Sequence, residues 1–333
     1  MLIWLPMPLG SNRPWSNATL IVFSSILFLW WLLPILLQRR NFSLALTKAK
    51  PAVYALVLIQ LIALIQLIAG WSQNPSQTFN YLLLGMAYTI LFVMVVDTFN
   101  SRKAVNLLLG TLIVSGTFQA FYGSTMVLSQ LEWGFFETKE FMQRLATGTF
   151  INRNHLAGYL ELTAACGIGL LLALRDHKAF SLRSILQWLS SPKALIRVSL
   201  IIMVIGLVMT RSRMGNIAFV SSLIITGAIL AAAIPKLRMR LTIILASLLI
   251  IDVLIVAQYF GLDELQQRLV NTQIDDKVVE GQVIAKQNII RDEVLAYTAP
   301  LVKQYALTGS GAGSFEVAFP AVAGPDITSH FDH

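Results

Sequence analysis

Long runs of apolar residues recur along the chain and restrict the folds that it can adopt. Each run is long enough to cross roughly 30 Å of hydrocarbon as a helix. A soluble domain has about 25% charged residues, whereas this chain has 13%. The sequence therefore predicts an all-α, polytopic helical membrane protein with about eight transmembrane helices. The runs are 18–37, 51–71, 79–97, 104–124, 156–174, 195–210, 214–234 and 241–260.

The apolar runs divide the chain into three segments. Residues 1–17 contain prolines, a glycine and two tryptophans, which is typical of an outer interfacial segment. Residues 18–260 make up the transmembrane helical domain. Residues 261–333 are mostly polar, and we interpret them as a partly helical extracytoplasmic loop segment.

Basic residues concentrate in four loops: 38–50, 98–103, 175–197 and 235–240. If all the runs cross the membrane, these loops lie on one side and hold more than half of the 25 lysines and arginines. By the positive-inside rule that side is the cytoplasm. The N-terminus and the tail then face outward. The same loops account for the net charge of +8 without nucleic acid as a partner.

Cysteine and histidine usage argues against disulfides and metal centres. The single cysteine, Cys166, lies inside an apolar run and can form no internal disulfide. His330, Asp332 and His333 are too loosely spaced for a metal pair, and no third ligand is evident. We expect neither a metal nor a cofactor.

Two arginines, Arg211 and Arg213, lie in a tight turn between apolar runs, on the expected outer side. A guanidinium binds phosphate with two parallel hydrogen bonds and keeps its charge at any relevant pH. The pair therefore indicates an anionic substrate at the outer leaflet. Contact with lipid headgroups, or pairing with an acid on a neighbouring helix, explains the two arginines equally well.

A second polar cluster precedes the run 156–174. Asn152, Arg153, Asn154 and His155 stand where a helix begins, and free backbone N–H groups there favour anions. Capping of the helix and anchoring at the membrane interface are the alternative explanation.

Two acidic residues, Glu161 and Asp252, lie well within apolar runs and away from their ends. A carboxylate at the position of Glu161 needs a partner, and Arg213 is a natural candidate, which makes Glu161 a positioning residue. An intramembrane acid is a candidate functional group by default. Hydrogen bonding between helices accounts for Asp252 equally well.

The tail combines an amphipathic pattern with a glycine-rich turn. Residues 283–307 predict a helix that Pro300 kinks. The turn 309–313 allows a ligand to approach the backbone, or it simply ends the helix. The turn is not the glycine-rich motif of a dinucleotide-binding fold, because no βαβ unit surrounds it. The apolar face of the predicted helix holds Ile290, Val294, Tyr297, Leu301 and Tyr305.

Four segments, in this order, resemble the O-antigen ligase and O-antigen polymerase superfamily of bacterial envelope glycosyltransferases. The first is residues 8–15, and the second is the Asn-Arg-Asn-His-Leu-Ala stretch 152–157. The third is the Ser-Arg-Met-Gly turn 212–215, and the fourth is the tail from Arg291 to His333. The resemblance covers most of the chain.

The resemblance implies a metal-independent glycosyltransferase of the cell envelope. Its donor is a glycan on a polyprenyl carrier such as undecaprenyl diphosphate, and its acceptor is a hydroxyl on a lipid, glycan or protein. Synthesis of a surface polysaccharide such as lipopolysaccharide is the expected context. The implied location is the bacterial inner membrane, with membrane lipids around the helices and the tail on the periplasmic side.

The resemblance also assigns roles to residues. Arg213 and Arg291 hold the diphosphate and offset the charge that grows on it as it leaves. His333 takes the proton from the attacking hydroxyl. Glu161 and Asp252 are expected to position these groups. The residues expected to bind diphosphate or glycan are Arg211, Arg153, Asn152, Asn154, His155, Gly311 and Gly313.

The sequence also fits two other functions. In a transporter, Glu161, Asp252 and Arg213 line a substrate or proton path, but the chain has no clear inverted repeats. In a non-catalytic assembly subunit, residues 261–333 are presented to partners. The family's loop continues into a His-x-His-Asn motif and further spans, whereas this sequence stops at His333. We therefore expect a C-terminally truncated ligase in which the loop segment is incomplete.

Overall fold

The computed structural model of the chain describes residues 1–131, 144–174, 191–235, 238–239, 241–243, 245–250, 277–279, 282–284 and 291–323. Helices dominate these residues. In chain order they are α1 Pro14–Leu36, α2 Leu44–Lys48, α3 Lys50–Ile68, α4 Pro75–Thr98, α5 Arg102–Ser129, α6 Arg153–Ala173, α7 Pro192–Met209, α8 Arg213–Ala233, α9 Leu241–Ile250, α10 Arg291–Gln304 and α11 Phe315–Ala318.

Within the described ranges, seven helices are long and apolar enough to cross a membrane, namely α1 and α3 to α8. They coincide with the first seven predicted spans, and the all-α polytopic fold is confirmed. The eighth predicted span, 241–260, is represented by the shorter apolar helix α9, and residues 251–260 lie outside the described part of the chain. Helix α1 begins at Pro14, inside the predicted interfacial segment 1–17, because proline suits the first turn of a helix.

Short polar side chains cap most of these helices. In each case a serine or asparagine before the first helical residue accepts a hydrogen bond from a backbone N–H of the first turn, which satisfies a donor that has no partner within the helix. The caps are Ser43 for α2, Asn74 for α4, Ser101 for α5, Asn152 for α6, Ser191 for α7 and Ser212 for α8.

The chain forms two compact units, and the first comprises Met1–Ser16 and Ser101–Gln266. Its core lies among α5, α6 and α7, which pack closely against one another. Small residues permit this approach: an added Cβ at Gly206 of α7 would lie 2.7 Å from the Cβ of Ala120 in α5. Its fully buried side chains include Leu156, Leu160, Leu200, Met203, Val204 and Leu207.

The second unit comprises Asn17–Asn100 and Gln267–His333. Helices α3 and α4 pair with each other, and the short helix α2 packs against α4. In the C-terminal part, two strands form an antiparallel hairpin, β1 Lys277–Val279 and β2 Gln282–Ile284. Helix α10 packs on α11 and on the 3₁₀ helix Phe319–Ala321 that follows it.

The predicted helix 283–307 is wrong at its start. Residues 282–284 form strand β2, and the helix that the structure describes is Arg291–Gln304, which runs through Pro300. Valine and isoleucine at positions 278, 279, 283 and 284 are β-branched and favour a strand over a helix. The predicted apolar face is confirmed where the structure describes it, because Val294, Tyr297, Leu301 and Tyr305 all pack in one cluster.

A buried carboxylate joins α1, α2 and α4 within the second unit. Asp97 is only 4% exposed. It accepts hydrogen bonds from the Trp31 indole N–H at 3.0 Å and from the Ser43 backbone N–H at 2.7 Å, and it pairs with the Arg40 guanidinium. Arg40 also lies 5.6 Å from the centre of the Trp31 ring. Sequence reasoning missed this network, although Asp97 and Arg40 both fall at the expected cytoplasmic ends of their spans.

We predict that Arg40→Ala lowers stability by about 1–2 kcal/mol, because the buried Asp97 carboxylate then loses its charged partner. The side chain of Arg40 is 40% exposed, and water therefore screens part of the pair. Thermal unfolding of the detergent-purified protein measures the effect. The matched control is Arg39→Ala, which removes an exposed arginine one position earlier. Equal melting temperatures for the two variants would show that the pair of Arg40 with Asp97 adds nothing to the stability of the protein.

Candidate functional site

The first turns of α6 and α8 meet within the first unit. The hydroxyl of Ser212, before α8, donates a hydrogen bond of 2.9 Å to the side-chain carbonyl of Asn154 in α6. One turn further on, an added Cβ at Gly215 would lie 2.7 Å from the Cβ of Ala157. The structure thus brings together two polar motifs that are almost 60 residues apart in the sequence.

The two helices begin in the same way, with a polar cap followed by an arginine. The Asn152 side chain accepts from the backbone N–H of Asn154 at 2.8 Å, and Arg153 is the first helical residue of α6. The Ser212 hydroxyl accepts from the backbone N–H of Gly215 at 3.2 Å, and Arg213 is the first residue of α8.

The turn before α8 is sharp and tightly bonded. Arg211 has a φ of 53°, in the left-handed region that residues with side chains rarely adopt. The backbone N–H of Arg211 donates to the Val208 carbonyl at 3.0 Å, and that of Ser212 donates to the Thr210 hydroxyl at 3.1 Å. Ser212 itself is 2% exposed. This buried serine therefore fixes the backbone between Arg211 and Arg213.

Three arginines converge at this point, and we call Arg153, Arg211 and Arg213 the arginine cluster. Arg153 is half-buried, and its electrostatic neighbours are the like charges of the other two guanidinium groups. Neither α6 nor α8 has an acidic residue in its first turn. Helix N-termini carry partial positive charge of their own. The cluster is therefore a concentration of positive charge that favours an anion.

The other candidates of the first motif surround the cluster. Asn154 and His155 are exposed, and Asn152 is half-buried. Asn152 and Asn154 have structural roles as a cap and as the partner of Ser212. Their contact with a substrate stays a prediction, as does that of His155.

The chain before α6 is held by a polar group that sequence reasoning missed. The Gln119 side chain of α5 donates to the Thr149 hydroxyl at 2.9 Å and accepts from the Thr149 backbone N–H at 2.9 Å. The same hydroxyl donates to the carbonyl of Pro6. Gly10, with a φ of 66°, lies against the ring of Phe150. The N-terminal segment is thus fastened beside the start of α6. A glutamine inside an apolar run was the available signal.

The glycine-rich turn of the tail lies in the second unit, on the connection between α3 and α4. Two of its carbonyls accept hydrogen bonds, that of Ser310 from the Gln73 backbone at 2.8 Å and that of Ala312 from the Thr78 hydroxyl at 2.9 Å. The carbonyl of Thr308, directly before the turn, accepts one from the Gln66 side chain at 2.8 Å. Gln66 and Thr78 are buried. Their hydrogen bonds to the tail therefore give these side chains partners where water cannot reach them.

The glycines of this turn are explained by that docking. Gly311 has a φ of 104°, and an added Cβ there would lie 2.5 Å from the Ser72 hydroxyl oxygen. Gly313 has a φ of 72°, and an added Cβ would lie 2.4 Å from the Tyr81 ring. Only glycine fits both the backbone conformation and the space. A role for Gly311 or Gly313 in binding substrate stays a prediction.

The structure describes only some of the remaining predicted residues. Arg291 is the first residue of α10, in the second unit, while Arg213 belongs to the first unit. Asp252 and His333 lie outside the described residues.

Residues 198–333 match the family model described as O-Antigen ligase. The resemblance to the O-antigen ligase superfamily is confirmed for these residues, which make up less than half of the chain. Comparisons with curated proteins and with solved structures give no match. This match supports the interpretation of the chain as a multi-pass membrane protein that transfers glycans and acts on a lipid-linked glycan.

The matched O-antigen ligase region begins inside α7 and includes Arg211, Arg213, Arg291 and the glycine-rich turn. The start of α6 precedes it in the sequence. The hydrogen bond from Ser212 to Asn154 therefore connects the ligase region to residues that the family model does not cover.

Glu161 does not have the partner that its sequence position suggested. Among the residues that the structure describes, no ion pair joins Glu161 to Arg213. Glu161 lies two turns into α6, and it lines a cleft whose α8 wall begins only at Phe219, beyond the arginine cluster. Glu161 is thus too deep along its helix to meet Arg213, and its positioning role stays a prediction.

We predict that Ser212→Ala lowers stability by about 1 kcal/mol or more, because α8 loses its cap and Asn154 loses its hydrogen-bond donor. Thermal unfolding in detergent measures the change. Ser221→Ala removes an exposed serine from the same helix and is expected to stay within about 0.5 kcal/mol of the unmodified protein. The same small shift for both variants would contradict the importance of the Ser212 bonds.

A second pair of variants tests the docking of the glycine-rich turn. Gly70 and Gly313 have nearly the same φ, 69° and 72°, but an added Cβ meets nothing within 4 Å at Gly70 and meets the Tyr81 ring at Gly313. We predict that Gly70→Ala costs about 1 kcal/mol from backbone strain alone. Gly313→Ala should cost about 1–3 kcal/mol more, since the turn must move away from Tyr81. Equal losses in thermal unfolding would show that the contact with Tyr81 is loose.

Proposed function

We propose that this chain is a metal-independent glycosyltransferase of the O-antigen ligase type. It moves a glycan from a polyprenyl-diphosphate carrier to an acceptor hydroxyl at the outer face of the bacterial inner membrane. The observation that carries the proposal is the arginine cluster, in which Arg153, Arg211 and Arg213 converge where α6 and α8 begin.

The charge of the cluster suits a diphosphate. Three guanidinium groups close together repel one another, and a ligand with several negative oxygens relieves that repulsion. Each guanidinium has a planar set of donors that matches phosphate oxygens in pairs. The N-terminal turns of α6 and α8 add partial positive charge at the same place. A neutral solute could accept hydrogen bonds here but would not offset the positive charge.

The proposed reaction is the one that the family resemblance implies. The acceptor hydroxyl oxygen attacks the anomeric carbon of the donor sugar and forms the new glycosidic bond. The bond from that carbon to the diphosphate oxygen breaks, and its electron pair remains on the diphosphate. The hydroxyl proton passes to a base, for which we propose His333. Arg213 stabilises the charge that develops on the leaving diphosphate, and the family resemblance assigns the same role to Arg291.

The orientation of the chain is consistent with this reaction. The basic loops 38–50, 98–103, 175–197 and 235–240 indicate the cytoplasmic side. Helices α6 and α8 each run from the arginine cluster toward one of these loops. The cluster therefore belongs to the outer end of both helices, where a carrier lipid would present its glycan.

The test is glycan transfer by the protein in proteoliposomes, with a polyprenyl-diphosphate glycan as donor. We predict that Arg213→Ala and Arg291→Ala each lower the rate by about 10²–10³, the usual effect of removing one group that stabilises developing charge. The control is Arg39→Ala, an exposed arginine in a predicted cytoplasmic loop, which should transfer normally. All three proteins must insert and melt like the unmodified one.

Normal transfer by Arg213→Ala would overturn the proposed role of the cluster. Uptake of a labelled solute that is abolished by Asp252→Asn, with no glycan transfer, would instead indicate a transporter. Complex formation through residues 261–333 that needs neither Arg213 nor Arg291 would indicate a non-catalytic assembly subunit.

A further inference from the structure

Helix α10 has two apolar stripes, and within the described part of the chain one is packed and the other is exposed. Val294 and Leu301 belong to the cluster with α11 and the following 3₁₀ helix. Leu295 and Val302 directly follow them and are 70% and 64% exposed. Consecutive residues are about 100° apart around a helix axis, so these two side chains point away from the packed cluster. With the exposed Ala299 between them, they form a stripe at helical spacing, which we call the open stripe.

The chain that follows α10 is fastened beside the ends of two spans. The carbonyl of Thr308 accepts a hydrogen bond from the side chain of Gln66, two residues before α3 ends. Gly313 lies against the Tyr81 ring, six residues after α4 begins. At 1.5 Å per residue, these contacts lie about 3 Å inside α3 and about 9 Å inside α4. The glycine-rich turn therefore lies at the depth where the two spans reach the membrane surface.

Exposed apolar side chains are present at this depth on both the spans and the tail. Leu307, directly before Thr308, is 100% exposed. Ile68 at the end of α3 and Trp71 in the connection to α4 are exposed as well, and tryptophan is enriched at membrane–water interfaces. Lys303 follows the open stripe and is exposed, where its ammonium group can bind anionic lipid headgroups. The tail thus continues the apolar surface that α3 presents to lipid.

We infer that α10 lies flat on the membrane surface at the connection between α3 and α4, with the open stripe among the lipid headgroups and upper acyl chains. An amphipathic helix binds a membrane surface in this way, with its apolar face buried and its basic residues near anionic lipids. A partner protein fits the open stripe less well. A stable protein interface buries roughly 800 Å² on each partner, and a row of three small or medium side chains offers far less. Neither the arginine cluster nor the proposed reaction enters into this placement of α10, which goes beyond the proposed function.

Fluorescence quenching in liposomes that contain phosphatidylglycerol tests this placement. The background is Cys166→Ser, which removes the single cysteine of the chain. An environment-sensitive fluorophore is attached to Leu295→Cys or to Val302→Cys, and the control is Ala296→Cys. Ala296 is exposed and lies about 100° further round α10 than Leu295, away from both the open stripe and the packed cluster.

We expect nitroxide lipids to quench the two stripe positions at least about twofold more strongly than position 296, and iodide in the water to show the reverse order. The labelled proteins should melt like the unlabelled Cys166→Ser protein. Iodide quenching that is equal at positions 295 and 296 overturns the inference, because α10 then extends into water. Protection of the open stripe from both quenchers overturns it too, because protein then covers the stripe. Recovery on dilution with lipid would identify that protein as a second copy of the chain.

Crosslinking from the lipid gives a second measurement on the unmodified chain. The probe is phosphatidylglycerol with a photoreactive group near the top of one acyl chain, in nanodiscs. We expect adducts on the peptide from Leu295 to Leu307 as well as on the spans. Adducts on the spans with none on this peptide overturn the placement of α10. Because neither readout involves glycan transfer, failure of the proposed function would leave this placement standing, and failure of the placement would leave the proposed function standing.

Discussion

A polar group in a hydrocarbon layer has no water to bond, and this constraint organises the structure. Gln119 fastens the N-terminal segment through Thr149, Asp97 joins α1, α2 and α4, and Ser212 joins the starts of α6 and α8. Each bond fixes an element that apolar packing alone would leave free to slide, because lipid tails are as apolar as leucine. The few polar side chains of the spans thus determine where the helices meet.

The spans follow from the sequence because hydrophobic length is a local property. Seven predicted spans match helices of the structure within a few residues, and most helix starts follow from a serine or an asparagine cap. The tail shows the limit of such reasoning. The pattern that predicted a helix from residue 283 was continuous, but β2 pairs with β1, and pairing between strands depends on residues that helical spacing ignores.

The site was predictable in its parts and not in its connections. The sequence identified Arg153, Arg211 and Arg213 as candidates, and the structure brings all three together. Contacts between helices decide which polar groups pair, so the sequence could not show that Ser212 bonds Asn154 or that Glu161 faces a cleft. The glycine-rich turn suggested a ligand, but the atoms that approach Gly311 and Gly313 belong to Ser72 and Tyr81.

The strongest sign of function is a local rule that the arginine cluster breaks. Acidic residues stabilise the first turn of a helix, and basic residues oppose its dipole. Yet α6 begins with Arg153, α8 begins with Arg213, and neither first turn contains an acid. Such a conflict between local preference and structure is expected where a ligand supplies the missing charge. A diphosphate bound across the two helix starts would offset the positive charge that Arg153 and Arg213 add to them, and this effect is the physical basis for proposing that the donor binds there.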